Sequence, residues 1–151
     1  MAISRGHRFS IQFDEAFPQG LVMVGEVSPD TEYQSREDRA AGRATRQRVD
    51  EITGKRQWKV AVTDPSEPNA KRASFEVTLL ADVQPVPTTS EVLPGMRPVE
   101  LDGLTAEPRV AGNGEFKYQS FLFRATGFKA VASGGGRSSK AGAGEQSAKA
   151  A

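Results

Sequence analysis

The chain has 151 residues, a formal net charge of +1, 15 glycines and 9 prolines, and its hydrophobic share is 37%. That length suits one domain with a modest core, and the low apolar share predicts long loops or a disordered tail around it. Cysteine is absent, which excludes disulfides and thiolate metal sites.

In chain order, Phe9, Ile11 and Phe13 alternate with Ser10 and Gln12, the two-residue period of a half-buried strand. Met1 to Arg5 lacks the apolar segment of a secretory signal, and no apolar run reaches bilayer-spanning length. The expectation is a soluble, cytoplasmic protein with no membrane partner. Leu21 to Val27 is an apolar run closed by Ser28-Pro29-Asp30, which predicts a second strand. Ser28 to Lys55 is long, polar and charged, and a loop of that length is functional or disordered. Within it, residues 37–49 suggest a frayed helix that Gly42 weakens.

Arg56 to Thr63 places Trp58, Val60 and Val62 on one face, with Lys59 and Ala61 on the other. Pro65 and Pro68 then end the strand. Ala73 to Ala81 alternates again, with Phe75, Val77 and Leu79 inward. Pro85, Pro87 and Pro94 mark an irregular connection, with one short turn at residues 89–93. Met96 to Leu101 and Leu104 to Val110 are weaker strand candidates. Ala111-Gly112-Asn113-Gly114 reads as a tight hairpin leading into Phe116 to Thr126, the strongest strand pattern, in which Phe121, Phe123 and Ala125 oppose Tyr118, Ser120, Leu122 and Arg124. After Val131 the chain becomes Gly, Ser, Ala and Lys, a composition that buries nothing and predicts a disordered tail.

These elements predict an all-β domain over residues 1–131 followed by a tail over 132–151. The expected fold is a five- to six-stranded barrel like the oligonucleotide-binding (OB) fold, with a long basic loop after its first strand. In that fold, ligand crosses strands two and three, between the loop after strand one and the loop before strand five. The first of those loops holds Arg36, Arg39, Arg43, Arg46, Arg48 and Lys55, and the second is Ala111 to Gly114. A basic loop beside the chain's only tryptophan suits single-stranded nucleic acid: guanidiniums neutralise phosphate and aromatic rings stack on bases. A solvated surface loop is the competing reading.

The segments Val49-Asp50-Glu51-Ile52-Thr53-Gly54-Lys55-Arg56-Gln57-Trp58 and Gly114-Glu115-Phe116-Lys117-Tyr118-Gln119-Ser120-Phe121-Leu122-Phe123-Arg124 carry a resemblance. By pattern of strands and loops, Gly20 to Ala130 resembles the helix-destabilising single-stranded DNA-binding proteins of filamentous phages and related mobile elements. The resemblance implies a protein that coats single strands during replication or transfer, acting as a homodimer or higher oligomer. The chain departs from housekeeping bacterial single-strand binders, which end in an acidic, apolar-tipped tail; this one ends Gln146-Ser-Ala-Lys-Ala-Ala151.

The candidate nucleic-acid contacts are Arg43, Arg46, Arg48, Lys55 and Arg56 as the electrostatic footprint and Lys59, Lys117 and Arg124 as phosphate contacts on strands. Trp58 and Tyr118 are the stacking candidates, each stack contributing about 1–3 kcal/mol. Parity also places Trp58 with core residues, whereas Tyr118 shares a wet face with Ser120 and Arg124. Lys71 and Arg72 either extend the path or solubilise a hairpin.

Catalysis finds little support. His7 is the only histidine, and Asp14-Glu15 and Glu37-Asp38 read as solvated pairs rather than metal ligands. Gly134-Gly135-Gly136 lacks the strand and helix of a phosphate loop, so neither enzymatic activity nor a cofactor is expected. Two other readings stand beside the DNA one: a protein-interaction module on the same barrel, and a single-stranded RNA binder, which would differ by contacts to the 2′-hydroxyl.

Overall fold

The computed structural model describes residues 1–130, and the expected tail lies outside them. The described chain is mostly β. Its strands are β1 (Phe9–Ser10), β2 (Leu21–Pro29), β3 (Gln57–Thr63), β4 (Ser74–Leu80), β5 (Met96–Val99), β6 (Leu101–Asp102), β7 (Thr105–Ala111), β8 (Tyr118–Ala125) and β9 (Gly127–Phe128). Three single-turn helices punctuate them: α1 (Phe13–Ala16), α2 (Arg36–Ala40) and α3 (Ala70–Ala73).

Seven strands form one sheet in the order β1-β7-β8-β4-β3-β2-β5, and β6 pairs with β9 separately. β2, β3 and β4 make an antiparallel meander, and β7 and β8 a hairpin. The two units meet where β8 lies parallel to β4, with Thr78 opposite Arg124 and Leu79 opposite Ala125. β1 and β5 end the sheet, and no ladder among the described residues joins them, so the expected barrel closure is not present. Both end strands are short, and Pro98 removes a donor from β5, as is usual for edges.

The alternation read from the sequence sets the core. Trp58, Val60 and Val62 of β3 pack with Val77 and Leu79 of β4, Leu21 and Met23 of β2, and Ala125 of β8. Phe13 and Phe17 around α1, with Leu101 and Leu104, cover this face. β2 bends midway: its register against β3 shifts between Val24 and Ser28, where Gly25 has φ +79°.

Residues 30–56 are not a structureless loop. Arg48 N–H donates to Asp30 O at 2.8 Å, Glu32 N–H to Arg46 O at 2.8 Å and Gln57 N–H to Arg48 O at 2.9 Å, which extends the β2–β3 pair into an irregular arm. The expected helix at 37–49 is only α2. Ser35 Oγ caps it by accepting from Asp38 N–H at 3.0 Å. Gly42, at φ +72°, ends it as the left-handed residue of a Schellman motif: its N–H donates to Arg39 O, and Arg43 N–H to Asp38 O. Residues 89–93, expected to make a short turn, contain no helix.

Candidate functional site

The sheet face opposite the core carries a polar row. Lys59 stands across from Ser28 on β2 and Thr78 on β4, Thr78 across from Arg124 on β8, and Arg124 across from Thr105 on β7. These positions share one face because each alternates with a buried neighbour: Lys59 with Trp58 and Val60, Arg124 with Ala125. The arm borders this face, and a cleft of about 460 Å³ opens where they meet, lined by Arg8, Glu32, Arg48, Asp50, Gln57 and Arg124 among others.

Acid partners neutralise much of that cleft. Arg8 donates from both terminal nitrogens to Asp50, at 2.6 and 3.0 Å. Asp50 also accepts from the backbone N–H and hydroxyl of Thr53, at 2.9 and 2.8 Å. The Arg8 hydrogen bond, aided by Thr53, holds the Asp50 carboxyl well below the usual carboxylate range, against the opposing effect of burial. The same bond raises the Arg8 pKa. Arg124 pairs with Glu107 at 2.8 Å, and Arg48 lies 3.6 Å from Asp30.

The expected site residues therefore separate into groups. Arg43 is bound to Asp38 at 2.7 Å and Lys55 to Asp82 at 2.9 Å. Arg46, Arg56, Lys59 and Lys117 make no ion pair with a carboxylate among the described residues, and of these only Lys59 is partly buried. Trp58 needs correction as a stacking platform. The residue is 8% exposed and its indole N–H donates to Ala81 O at 2.9 Å, so it is a core residue with a satisfied polar edge.

Tyr118 lies elsewhere, on a second cleft of about 450 Å³. The Arg72 guanidinium sits 3.8 Å from the centre of its ring, a cation–π contact. Phe121 was expected inside; it keeps the inward parity yet remains 46% exposed at the mouth of this cleft.

Sequence reasoning missed Arg8, and the His7 beside it is exposed with its ring 4.5 Å from Phe9. The available signal was Asp50-Glu51-Ile52-Thr53-Gly54, a turn whose aspartate bonds its own backbone three residues on. Among the described residues, no group of three or more His, Asp or Glu is placed to hold a metal ion, and no helix is long and apolar enough to cross a membrane. Comparison with protein-family models, curated proteins and solved structures finds no match for this chain.

Proposed function

We propose that this chain binds single-stranded DNA without sequence preference, through the outer face of β3, β4 and β8 and the arm that borders it. The observation that carries this reading is Lys59 in the cross-strand polar row, lying beside an arm whose Arg46 and Arg56, like Lys59, have no carboxylate partner among the described residues. Cations with no internal partner are free to replace the counterions of a phosphate backbone. The Arg8–Asp50 and Arg124–Glu107 pairs keep the face from being strongly basic, which favours modest, salt-sensitive affinity.

The strand arrangement supports an OB-like reading of the fold. Counting the long strands alone, β2, β3, β4, β7 and β8, the arm joins the first to the second and residues 112–117 join the fourth to the fifth. Those are the two loops that flank ligand in that fold. A coat on replication or transfer intermediates, assembled as a homodimer or higher oligomer, follows from the resemblance. The edge at β1, unpaired among the described residues and with Phe9 exposed, is the proposed contact between copies.

A second reading is favoured by the segment after β4. Val83, Val86, Val92 and Leu93 all point outward there, which suits a protein-interaction module. Titration with fluorescently labelled oligo-dT at low and moderate salt, with duplex DNA and oligo-U as controls, separates the readings. Salt-sensitive binding of oligo-dT over duplex is expected. Absence of binding at low salt overturns the DNA reading and leaves the interaction module, and preference for oligo-U moves it to RNA.

A further inference from the structure

The cleft beside Tyr118 lies away from the row described above, where the first half of β8 runs unpaired with β4. It is walled by α1, by the turn leading into β4, and by the start of β8. Its floor is an aromatic cluster. The Phe17 ring centre is 5.0 Å from that of Phe123 and 5.9 Å from that of Phe75, and the Phe75 and Phe123 centres are 5.7 Å apart. Phe121 continues the cluster at 6.0 Å from Phe123. The first three rings complete the core, but Phe121 adds a ring that the core does not need and water partly covers.

Charge at the rim is distributed unevenly in its commitments. Asp64 accepts from Ser66 N–H at 2.9 Å and Ser66 Oγ–H at 2.6 Å, and Glu67 accepts from Asn69 N–H at 3.0 Å. Both carboxylates are thus engaged in shaping the turn before α3. Lys71 and Arg72 are exposed and have no carboxylate partner among the described residues. Arg72 is held by the Tyr118 ring instead, which orients a planar guanidinium without using up its hydrogen-bond donors.

An exposed flat ring, a confined volume and uncommitted cations at the rim fit a flat, partly apolar group attached to an anion. We propose that this cleft is a nucleobase pocket, in which one unpaired base of a bound single strand stacks on Phe121 while its phosphate meets Lys71 and Arg72. Its volume lies within the range of small-ligand sites, near the lower end, and suits one nucleotide rather than a duplex. This inference rests on the single-strand reading above and adds a second contact surface to it. Tyr118, one face of which Arg72 occupies, forms the rim rather than the platform.

The test uses the full chain and an oligo-dT carrying 5-iodouracil at single positions, irradiated and mapped by peptide mass spectrometry. The Phe121→Leu variant, checked for folding by circular dichroism, is titrated in parallel. Cross-links at Phe121 or Tyr118, with affinity lowered about tenfold by Phe121→Leu, are expected. Salt-sensitive binding with cross-links confined to the arm and the outer face, unaffected by Phe121→Leu, overturns the pocket and leaves the single-strand reading intact. No binding by the unaltered protein at low salt overturns both.

Discussion

Arg8 and Asp50, 42 positions apart, form a two-pronged ion pair that ties the start of the chain to the base of the charged arm. Asp50 is 1% exposed and the only buried charged residue of the described chain. A carboxylate placed there without its guanidinium would be a desolvated, half-satisfied charge. Removing Arg8 with Arg8→Ala is expected to destabilise the protein by about 3–5 kcal/mol, measured by urea denaturation. Adding Asp50→Ala to that variant should cost much less than the sum of the single changes, because the stranded charge is then gone.

The same pair fixes an acid response. Because the Asp50 pKa is depressed in the folded state, its contribution to stability is complete above the unfolded aspartate pKa of about 3.9. It is lost as pH falls through the lower folded value, since the unfolded chain takes up the proton first. The stability gap between the natural protein and Asp50→Asn should stay constant above about pH 5 and narrow on further acidification. A gap that is flat down to about pH 2 would contradict the pairing.

Trp58 is a reporter of the core rather than of ligand. Its emission should be blue-shifted, resist quenching by acrylamide, and barely change when oligo-dT binds. Trp58→Phe leaves Ala81 O without its donor and is expected to cost about 1–3 kcal/mol, read from the thermal or urea midpoint.

Gly112 stands at φ +89° between β7 and β8, and a Cβ there would lie 2.2 Å from Phe116 O. Neither the dihedral nor the space admits a side chain. Gly112→Ala should destabilise the chain by about 1–3 kcal/mol and broaden amide signals of residues 112–118 in an NMR spectrum.

Arg46 and Arg56 should dominate the electrostatic part of DNA binding over Lys55, whose ammonium already faces Asp82. Each of Arg46→Ala and Arg56→Ala is expected to reduce the slope of log affinity against log salt by about one, with Lys55→Ala changing it less. Equal slopes in all three would show that internal pairing does not sort these cations.

The strands were legible because period-two alternation and burial are the same fact seen twice: Val60, Val62, Val77 and Leu79 are all inside, as their spacing required. The arm was not. Its order comes from backbone bonds such as Arg48 N–H to Asp30 O, which leave no mark on side-chain polarity. Phe121 shows the reverse limit. Parity gave its face correctly, but which residue of a strand outruns the core depends on how far the neighbouring strands extend. Arg8 escaped notice because an ion pair between distant residues has no local signature, and barrel closure was expected from strand order, which does not reveal how short β1 and β5 are.

The seam between β4 and β8 has a kinetic consequence. It joins Thr78 to Arg124 and Leu79 to Ala125, whereas the β3–β4 and β7–β8 hairpins close over short connections. Loop-closure entropy rises with the length of chain enclosed, so each hairpin can assemble before the seam does. Refolding should then pass from two independently paired halves to one sheet in a single late step, with the amides around Thr78 and Arg124 the last to become protected in pulsed hydrogen exchange.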